Sequence, residues 1–394
     1  MKRTRSFLVS AILLAVLAGM FLTSGAARAA SSAPKITCGQ WNVVSSPSPT
    51  NGGFLTGVAA ISSTDVWAVG NYDNSNFITQ TLIEQWNGTS WSIVPSPNQA
   101  NDNNELVSIA DVSSTDIWAA GYYQDSNYIS HTLIEQWNGT SWSIVPSPDM
   151  GTYGDQLNGI AAVSSTDIWA VGSYSDSNFV SHVLIEQWNG TSWSIVPRKS
   201  NIYGDGLNAI AAHSATKIWA VGFSNDSSQI DHTLIEHWNG TKWKTVTSPN
   251  VTGDDDYLNG VAAISGKDVW ADGESINNGN NTAQTLIEQW NGTQWSIVAS
   301  PNPSTISSYL SGMAAASSTD IWAVGSYLDN SQQYDDVLIE QWNGTQWSIV
   351  PISIPGATGS SLTGIARVPG TKDFWSVGSV SQNRSDQTLT AYYC

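Results

Sequence analysis

The chain has 394 residues and a net charge of −18, with only 12% charged residues but 20 tryptophans and 33 glycines. Positions 1–29 hold four basic groups and no acid, so the remainder carries −22, a surface that repels nucleic acid and anionic membranes. So many aromatic and turn residues among so few charges exclude a coiled coil or a disordered chain and point to β structure.

The first element in chain order is an export leader. Lys2, Arg3 and Arg5 precede an apolar run from Phe7 to Phe21, and Ala27-Arg28-Ala29 follows, the order of a signal peptide cleaved before Ala30. Residues 30–37 read as a short linker. No later apolar run is long enough to span a bilayer, so the reading is of a secreted, extracellular, monomeric product in a compartment where disulfides persist.

From residue 38 onward the chain repeats itself. Trp67, Trp118, Trp169, Trp219, Trp270, Trp322 and Trp375 lie 50 to 53 residues apart in versions of Ser-Ser-Thr-Asp-Ile-Trp-Ala-Val-Gly. A second set, Trp86, Trp137, Trp188, Trp238, Trp290 and Trp342, ends Thr-Leu-Ile-Glu-Gln-Trp. A third opens Trp-Ser-Ile-Val at Trp91, Trp142, Trp193, Trp243, Trp295 and Trp347, with Trp41 in the same register. Trp within such apolar runs reads as core.

Each unit has four β-like runs, in the first Leu55 to Ile61, Asp65 to Tyr72, Thr79 to Trp86 and Ser90 to Pro95, here called strands a to d. Four strands per unit of about 50 residues predict an all-β fold, a seven-bladed β-propeller with four antiparallel strands per blade. The repeats lie near 55–105, 106–156, 157–206, 207–257, 258–309, 310–361 and 362–394 plus 38–46. Strand a is rich in Gly and Ala, suiting a crowded axis. Strand b, a run of Val, Trp and Ala, suits burial on both faces.

Ring closure is legible too. Cys38 to Val44 matches the strand d register around Trp91, and Thr388 to Cys394 matches Thr81 to Asn87, so the N-terminal run supplies the outer strand of the last blade. Cys38 and Cys394 then occupy the two residues of the missing c–d turn, which predicts a disulfide between them.

The a–b and c–d turns vary little. Asp65, Asp116, Asp167, Asp268, Asp320 and Asp373 end the a–b turn, where carboxylates are expected to cap backbone N–H groups, and Lys217 replaces them in the fourth repeat. Asn-Gly at Asn87, Asn138, Asn189, Asn239, Asn291 and Asn343 predicts type I′ hairpins; with Thr it is also a glycosylation sequon. Glu84, Glu135, Glu186, Glu236, Glu288 and Glu340 recur in strand c and read as structural. His131, His182 and His232 stand four residues earlier, about 13 Å along a strand and too far for a His–Glu pair.

The b–c and d–a loops differ between repeats, so a specific site is expected there. Tyr72, Tyr123, Tyr174 and Tyr327 stand beside Asp73, Asp125, Asp176 and Asp329. The d–a loops of the third to fifth repeats add Tyr153, Asp155, Tyr203, Asp205, Asp254, Asp255, Asp256 and Tyr257. Rings with carboxylates and amides suit sugars, which present apolar faces and hydroxyls. Carboxylate clusters also suit calcium, and acidic loops that merely keep an exported protein soluble fit equally.

Catalytic signatures are missing: the sequence has no nucleophile elbow, P-loop or Cys–His pair, and its acids are mostly repeated. The expectation is a non-enzymatic binding or scaffold module for a glycan or cell-surface protein, with no cofactor unless calcium. The alternative is a polysaccharide-active glycosidase or lyase using Asp155, Asp205 or Asp256.

The unit Asp-Ile-Trp-Ala-Val-Gly, followed by Thr-Leu-Ile-Glu-Gln-Trp-Asn-Gly-Thr-Ser-Trp-Ser-Ile-Val-Pro-Ser-Pro, resembles the Trp-Ala-Val-Gly repeats of secreted bacterial proteins loosely grouped with kelch-like and Asp-box propellers. The resemblance covers about residues 38–394 and implies no catalytic residues. The repeats lack the kelch Gly-Gly doublet and the WD40 Gly-His and Trp-Asp. Gly88-Thr89-Ser90-Trp91 is similar to half of an Asp-box, with Trp86 where the Asp would stand.

Overall fold

The computed structural model describes residues 36–99, 103–198, 201–328, 334–382 and 385–394, so the leader expected at 1–29 lies outside the described residues. The described chain is all β, with 28 strands in repeated four-stranded units. In the first unit Phe54–Ser62, Asp65–Asp73, Thr79–Trp86 and Trp91–Ile93 pair antiparallel in the order a, b, c, d. Units five and six join through a single parallel bridge, Ala283 with Ser307. In the seventh unit Trp41–Val44 pairs antiparallel with Ser385–Tyr393 and supplies strand d.

The N-terminal pairing places Cys38 and Cys394 with Cα atoms 4.7 Å apart in a disulfide, and the Gly39 N–H donates to the Cys394 carbonyl at 2.7 Å. A cross-link between residues 356 positions apart removes much of the freedom of the unfolded chain, on the order of 5 kcal/mol in a chain-entropy estimate.

Local chemistry explains the strand limits. In strand b, Val66 to Val69 are fully buried, as a run without polar alternation requires. The Gly ending each Trp-Ala-Val-Gly is forced by a close approach: a Cβ on Gly70 would stand 1.9 Å from the Phe54 carbonyl oxygen, and the equivalent glycines are equally crowded. Strand d is shorter than expected, Trp91–Ile93 rather than through Pro95. The Val94 N–H still reaches the Ile83 carbonyl, but Pro95 and Pro97 have no N–H with which to continue.

The core lies in seven apolar clusters between consecutive units. Each is centred on a strand b tryptophan that meets two rings of the next unit. Trp67 lies 4.9 Å from Trp137 and 5.7 Å from Trp142, and Trp375 of the last unit lies 5.0 Å from Trp86 and 5.1 Å from Trp91 of the first. At Trp322 the partners are Tyr393 and Trp41. Each such ring removes about 150 to 250 Å² from water, a gross gain of roughly 4 to 6 kcal/mol before entropy is counted.

Side chains of strand a stitch the units together near a cavity of about 420 Å³ that strand a residues of all seven units line. Thr56 donates to the Leu106 carbonyl, Asn158 to Leu207, Asn208 to Leu258 and Asn259 to Leu310, while Thr363 of the last unit donates to Leu55 of the first at 2.6 Å.

Candidate functional site: the b–c and d–a loops

The a–b and c–d turns gather at one end of every sheet, and folding accounts for their chemistry. The Asp closing the a–b turn does not cap backbone N–H groups as expected. Its Oδ1 accepts the indole N–H of the strand b Trp and the amide N–H of the strand c Gln, at 2.8–3.2 Å in five units. In the fourth unit Lys217 replaces the Asp and His237 the Gln. The imidazole stacks on Trp219 at 4.2 Å, and burial with Lys217 and Lys244 pushes its pKa down to about 4.

The c–d turn also differs from the expected type I′. Gly88 has φ +93°, but Asn87 is not in the positive-φ region. Asn is selected for its side chain instead: Asn87 Oδ1 accepts the Thr89 N–H, the Thr89 hydroxyl and the Ser90 N–H, a pattern the other five turns repeat.

The strand c glutamates are buried between sheets. Among the described residues Glu135, Glu186 and Glu340 lack hydrogen-bond partners, and Glu84 and Glu288 are eased only weakly by the Thr388 and Thr233 hydroxyls. Burial raises the pKa values of all five, to about 8 for Glu84, Glu288 and Glu340 and about 9 for Glu186. Glu236 meets a cation, the only one of the six to do so among the described residues: Arg198 donates to it at 2.7 and 2.9 Å and to Asp205 at 2.5 Å.

At the opposite end, the start of strand a, the end of strand b and the start of strand c lie together. Here the b–c connection is a tight turn that sequence reasoning missed. In the first unit the Phe77 N–H donates to the Asn74 carbonyl, and Asn74 Oδ1 accepts the Asn76 and Ile78 N–H groups. Asp125, Asp176 and Asp226 make the same turn. Accepting these backbone N–H bonds lowers their pKa values and keeps them ionised. Asp73 stands one place earlier than Asp125 and Asp176 and accepts the Thr79 hydroxyl instead.

This turn forces its fourth residue into left-handed backbone, and that residue is Phe77 (φ 59°), Tyr128 (62°), Phe179 (60°) or Gln229 (63°). The three rings are 82%, 82% and 75% exposed. Their signal was in the sequence, an aromatic three places after Asn or Asp in three consecutive repeats, but matched spacing alone does not disclose a strained backbone.

The histidines find partners in the same turns. His131 lies 2.8 Å from Asp149 and 3.7 Å from Asp125, His182 3.3 Å from Asp176 and His232 3.3 Å from Asp226. Burial lowers the His131 pKa, but Asp149 and Asp125 outweigh it, for a net rise. Tyr123 stacks on His131 with ring centres 5.0 Å apart, and Tyr174 tilts over His182 at 5.2 Å.

The d–a loop residues separate into two groups. Tyr153 and Tyr203 are exposed, and Tyr153 meets Phe179 edge-on at 5.1 Å. Asp155, Asp205 and Asp256 do not face solvent; all are at most 1% exposed. Asp155 accepts the Met150 and Gly151 N–H groups, Asp256 that of Val251, and Asp205 those of Val183 and Asn201 besides Arg198. They pin the loops from beneath, because a buried carboxylate must find donors. Asp254 accepts the Asn277 amide, Asp255 the Asp231 N–H, and the Tyr257 hydroxyl donates to Asp231. Asp329 lies outside the described residues, and among those described no three His, Cys, Asp or Glu side chains converge to hold a metal.

A groove of about 680 Å³ opens in the first unit, and Tyr72 and Asp73 line it together. A second, of about 490 Å³ and including Asp254, opens in the fifth.

No family model and no curated protein matches the chain. Solved structures do. The chain is similar to YCF48 bound to D1 peptide (13% identity, TM-score 0.55, 92% of this chain and 98% of that one). It is similar to the PL25 ulvan lyase bound to -[GlcA(1-4)Rha3S]- (11%, TM-score 0.57, 91% and 95%). A third likeness is to the GH74 xyloglucanase from Xanthomonas campestris (13%, TM-score 0.55), of which the match covers 55%, against 89% of this chain. The fold is a β-propeller. At these identities the likeness reaches the fold alone, for the same propeller scaffold carries binding proteins, hydrolases and lyases.

Proposed function

We propose that the chain is an exported, seven-bladed β-propeller that binds a glycan through its b–c and d–a loop side. The blade count rests on seven inter-sheet clusters, the last of which packs Trp375 against Trp86 and Trp91, and on the Thr363 to Leu55 bond. Export rests on the leader pattern of residues 1–29 and on the disulfide.

One observation carries the binding reading: Phe77, Tyr128 and Phe179 hold exposed rings at left-handed positions. A non-glycine residue there costs roughly 1 to 2 kcal/mol, and the turn would accept Gly or Asn without that cost. So exposed a ring recovers little by burial. Folding therefore selects against these aromatics, and a rigid turn presenting a ring beside Asp and Asn side chains is what stacking on a pyranose requires.

The test is binding of the mature chain, residues 30–394, to a panel of glycans and cell-wall polysaccharides, with and without a calcium chelator. The triple variant F77N/Y128N/F179N keeps the turns and removes the rings. Saturable binding that this variant loses while its Tm holds or rises supports the reading. Equal binding by the variant, or silence of the wild type across the panel, overturns it.

A further inference from the structure

The glycan reading leaves the chemical class of the sugar open, and assigning a subsite depends on that reading. The groove of the first unit is lined by Pro49 to Asn51, by Tyr72 to Ser75, and by Leu82, Ile93 and Val94 among others. Tyr72 is half-buried with its ring against the core, and its hydroxyl meets no hydrogen-bond partner among the described residues. Around it lie Asp73, Asn51, Asn74 and Asn98. Of these, Asp73 Oδ1 accepts the Thr79 hydroxyl, Asn74 Oδ1 the Asn76 and Ile78 N–H groups and Asn98 Oδ1 the Thr81 N–H, while the Asn51 amide donates to the Asn74 carbonyl.

Comparison with the next two units sets this ring apart from theirs, while in the sixth unit the matching Tyr327 stands opposite Asp336. Tyr123 and Tyr174 occupy the same place in the next two units, but His131 and His182 lie against them. The cross-strand neighbour of Tyr72 is Gln80, whose amide turns back to the Thr79 carbonyl at 3.0 Å, and Tyr72 lines the groove. In the groove of the fifth unit the matching residue is Ser275, which offers no ring.

Charge narrows the occupant. The lysines of the described residues, Lys217, Lys242, Lys244, Lys267 and Lys372, all lie in or next to a–b and c–d turns, at the far end of the sheets. On the loop side Arg198 is held by Asp205 and Glu236. Lys199 and Arg384 lie outside the described residues. Among the described ones no free cation borders the groove, so a uronate, sialate or sulfate, which needs a cation to replace its water, would face Asp73 instead.

We propose that this groove is a subsite for one pyranose ring of an uncharged glycan, with Tyr72 stacking on the apolar face of the sugar and Asp73 and the amides addressing its hydroxyls. The probes are cellohexaose, laminarihexaose and mannohexaose, with hexagalacturonate as the anionic counterpart, titrated calorimetrically against the mature chain. At least one neutral hexasaccharide binds and hexagalacturonate does not. Tyr72→Ala weakens that binding by about tenfold or more, and Tyr72→Phe by no more than about threefold.

Because Tyr72 touches the core, Gln80→His is the second variant. It recreates the His–Tyr pairing that the second and third units fold with, covers the ring, and lowers affinity as Tyr72→Ala does. Wild-type affinity in both Tyr72→Ala and Gln80→His, or equal affinity for hexagalacturonate, overturns the proposal. If F77N/Y128N/F179N abolishes binding while the groove variants do not, the subsite falls and the loop-side reading stands. If the wild type binds no sugar, both fall.

Discussion

The two ends of the sheets solve the same problem with different freedom. At the a–b and c–d end one Asp fastens a Trp and a Gln, and one Asn amide organises each hairpin, with few exceptions around the molecule. At the b–c and d–a end the first four units share one turn chemistry, but what it presents changes: Phe77, Tyr128, Phe179 and then Gln229. Uniformity marks residues that every unit needs to fold. Variation on a fixed turn marks residues released from that duty, and it is there that a ring sits where the backbone resists it.

The largest expected effect concerns an irregularity of the loop end that is structural. Arg198→Met strands Glu236 and Asp205 as buried carboxylates, at a cost of about 3 to 5 kcal/mol in urea unfolding. Adding Glu236→Leu recovers part of that loss. A cost below about 1 kcal/mol would mean that solvent reaches the pair.

The second effect lies between the two ends, in the buried glutamates. Their pKa values stand above the unfolded value of 4.5, so the folded state holds protons that the unfolded state releases. The stability they contribute is complete below pH 4.5 and is lost as pH rises through 8 to 9. Tm should fall by about 5 °C or more between pH 5 and pH 9 in scanning calorimetry. Asp272, fully buried where most repeats have Val and raised to about 8, adds to the slope, so Asp272→Val flattens the profile and raises Tm at pH 8. A Tm that is flat or rising over this range sinks the account.

Next comes a matched pair that sharpens the comparison directly. Asp116→Ala orphans the buried Trp118 indole N–H and should cost about 1 to 3 kcal/mol. Asp125→Ala, on an exposed turn, should leave global Tm within about 1 °C while raising hydrogen exchange only in its own loop. The smallest effect has the opposite sign: Phe179→Asn should gain about 1 kcal/mol, because Asn tolerates left-handed backbone. A loss there would mean that the ring supports the fold, for instance through Tyr153.

Much of this architecture was legible because it is written many times over. The spacing of Trp67, Trp118 and their successors gives the repeat, and the pairing of Trp41–Val44 with Ser385–Tyr393 and the Cys38–Cys394 bond follow from register alone. The site was legible only in part. Tyr72 and Asp73 share a groove, but Asp155, Asp205 and Asp256 look alike in sequence to exposed acids and prove to be loop anchors. Burial depends on which backbone donors a loop turns inward, and composition does not record that.

By itself, then, the sequence determined the repeat, the strand order and the terminal disulfide, because periodic tryptophans and complementary ends constrain pairing without any knowledge of distance. Tertiary structure alone decided that Glu135, Glu186 and Glu340 are buried without partners, that Arg198 bridges Asp205 and Glu236, and that His131 lies against Tyr123 while Gln80 turns away from Tyr72. These are relations between residues of different strands and loops, set by packing and by the backbone donors a carboxylate can reach, and such relations leave no period in the chain.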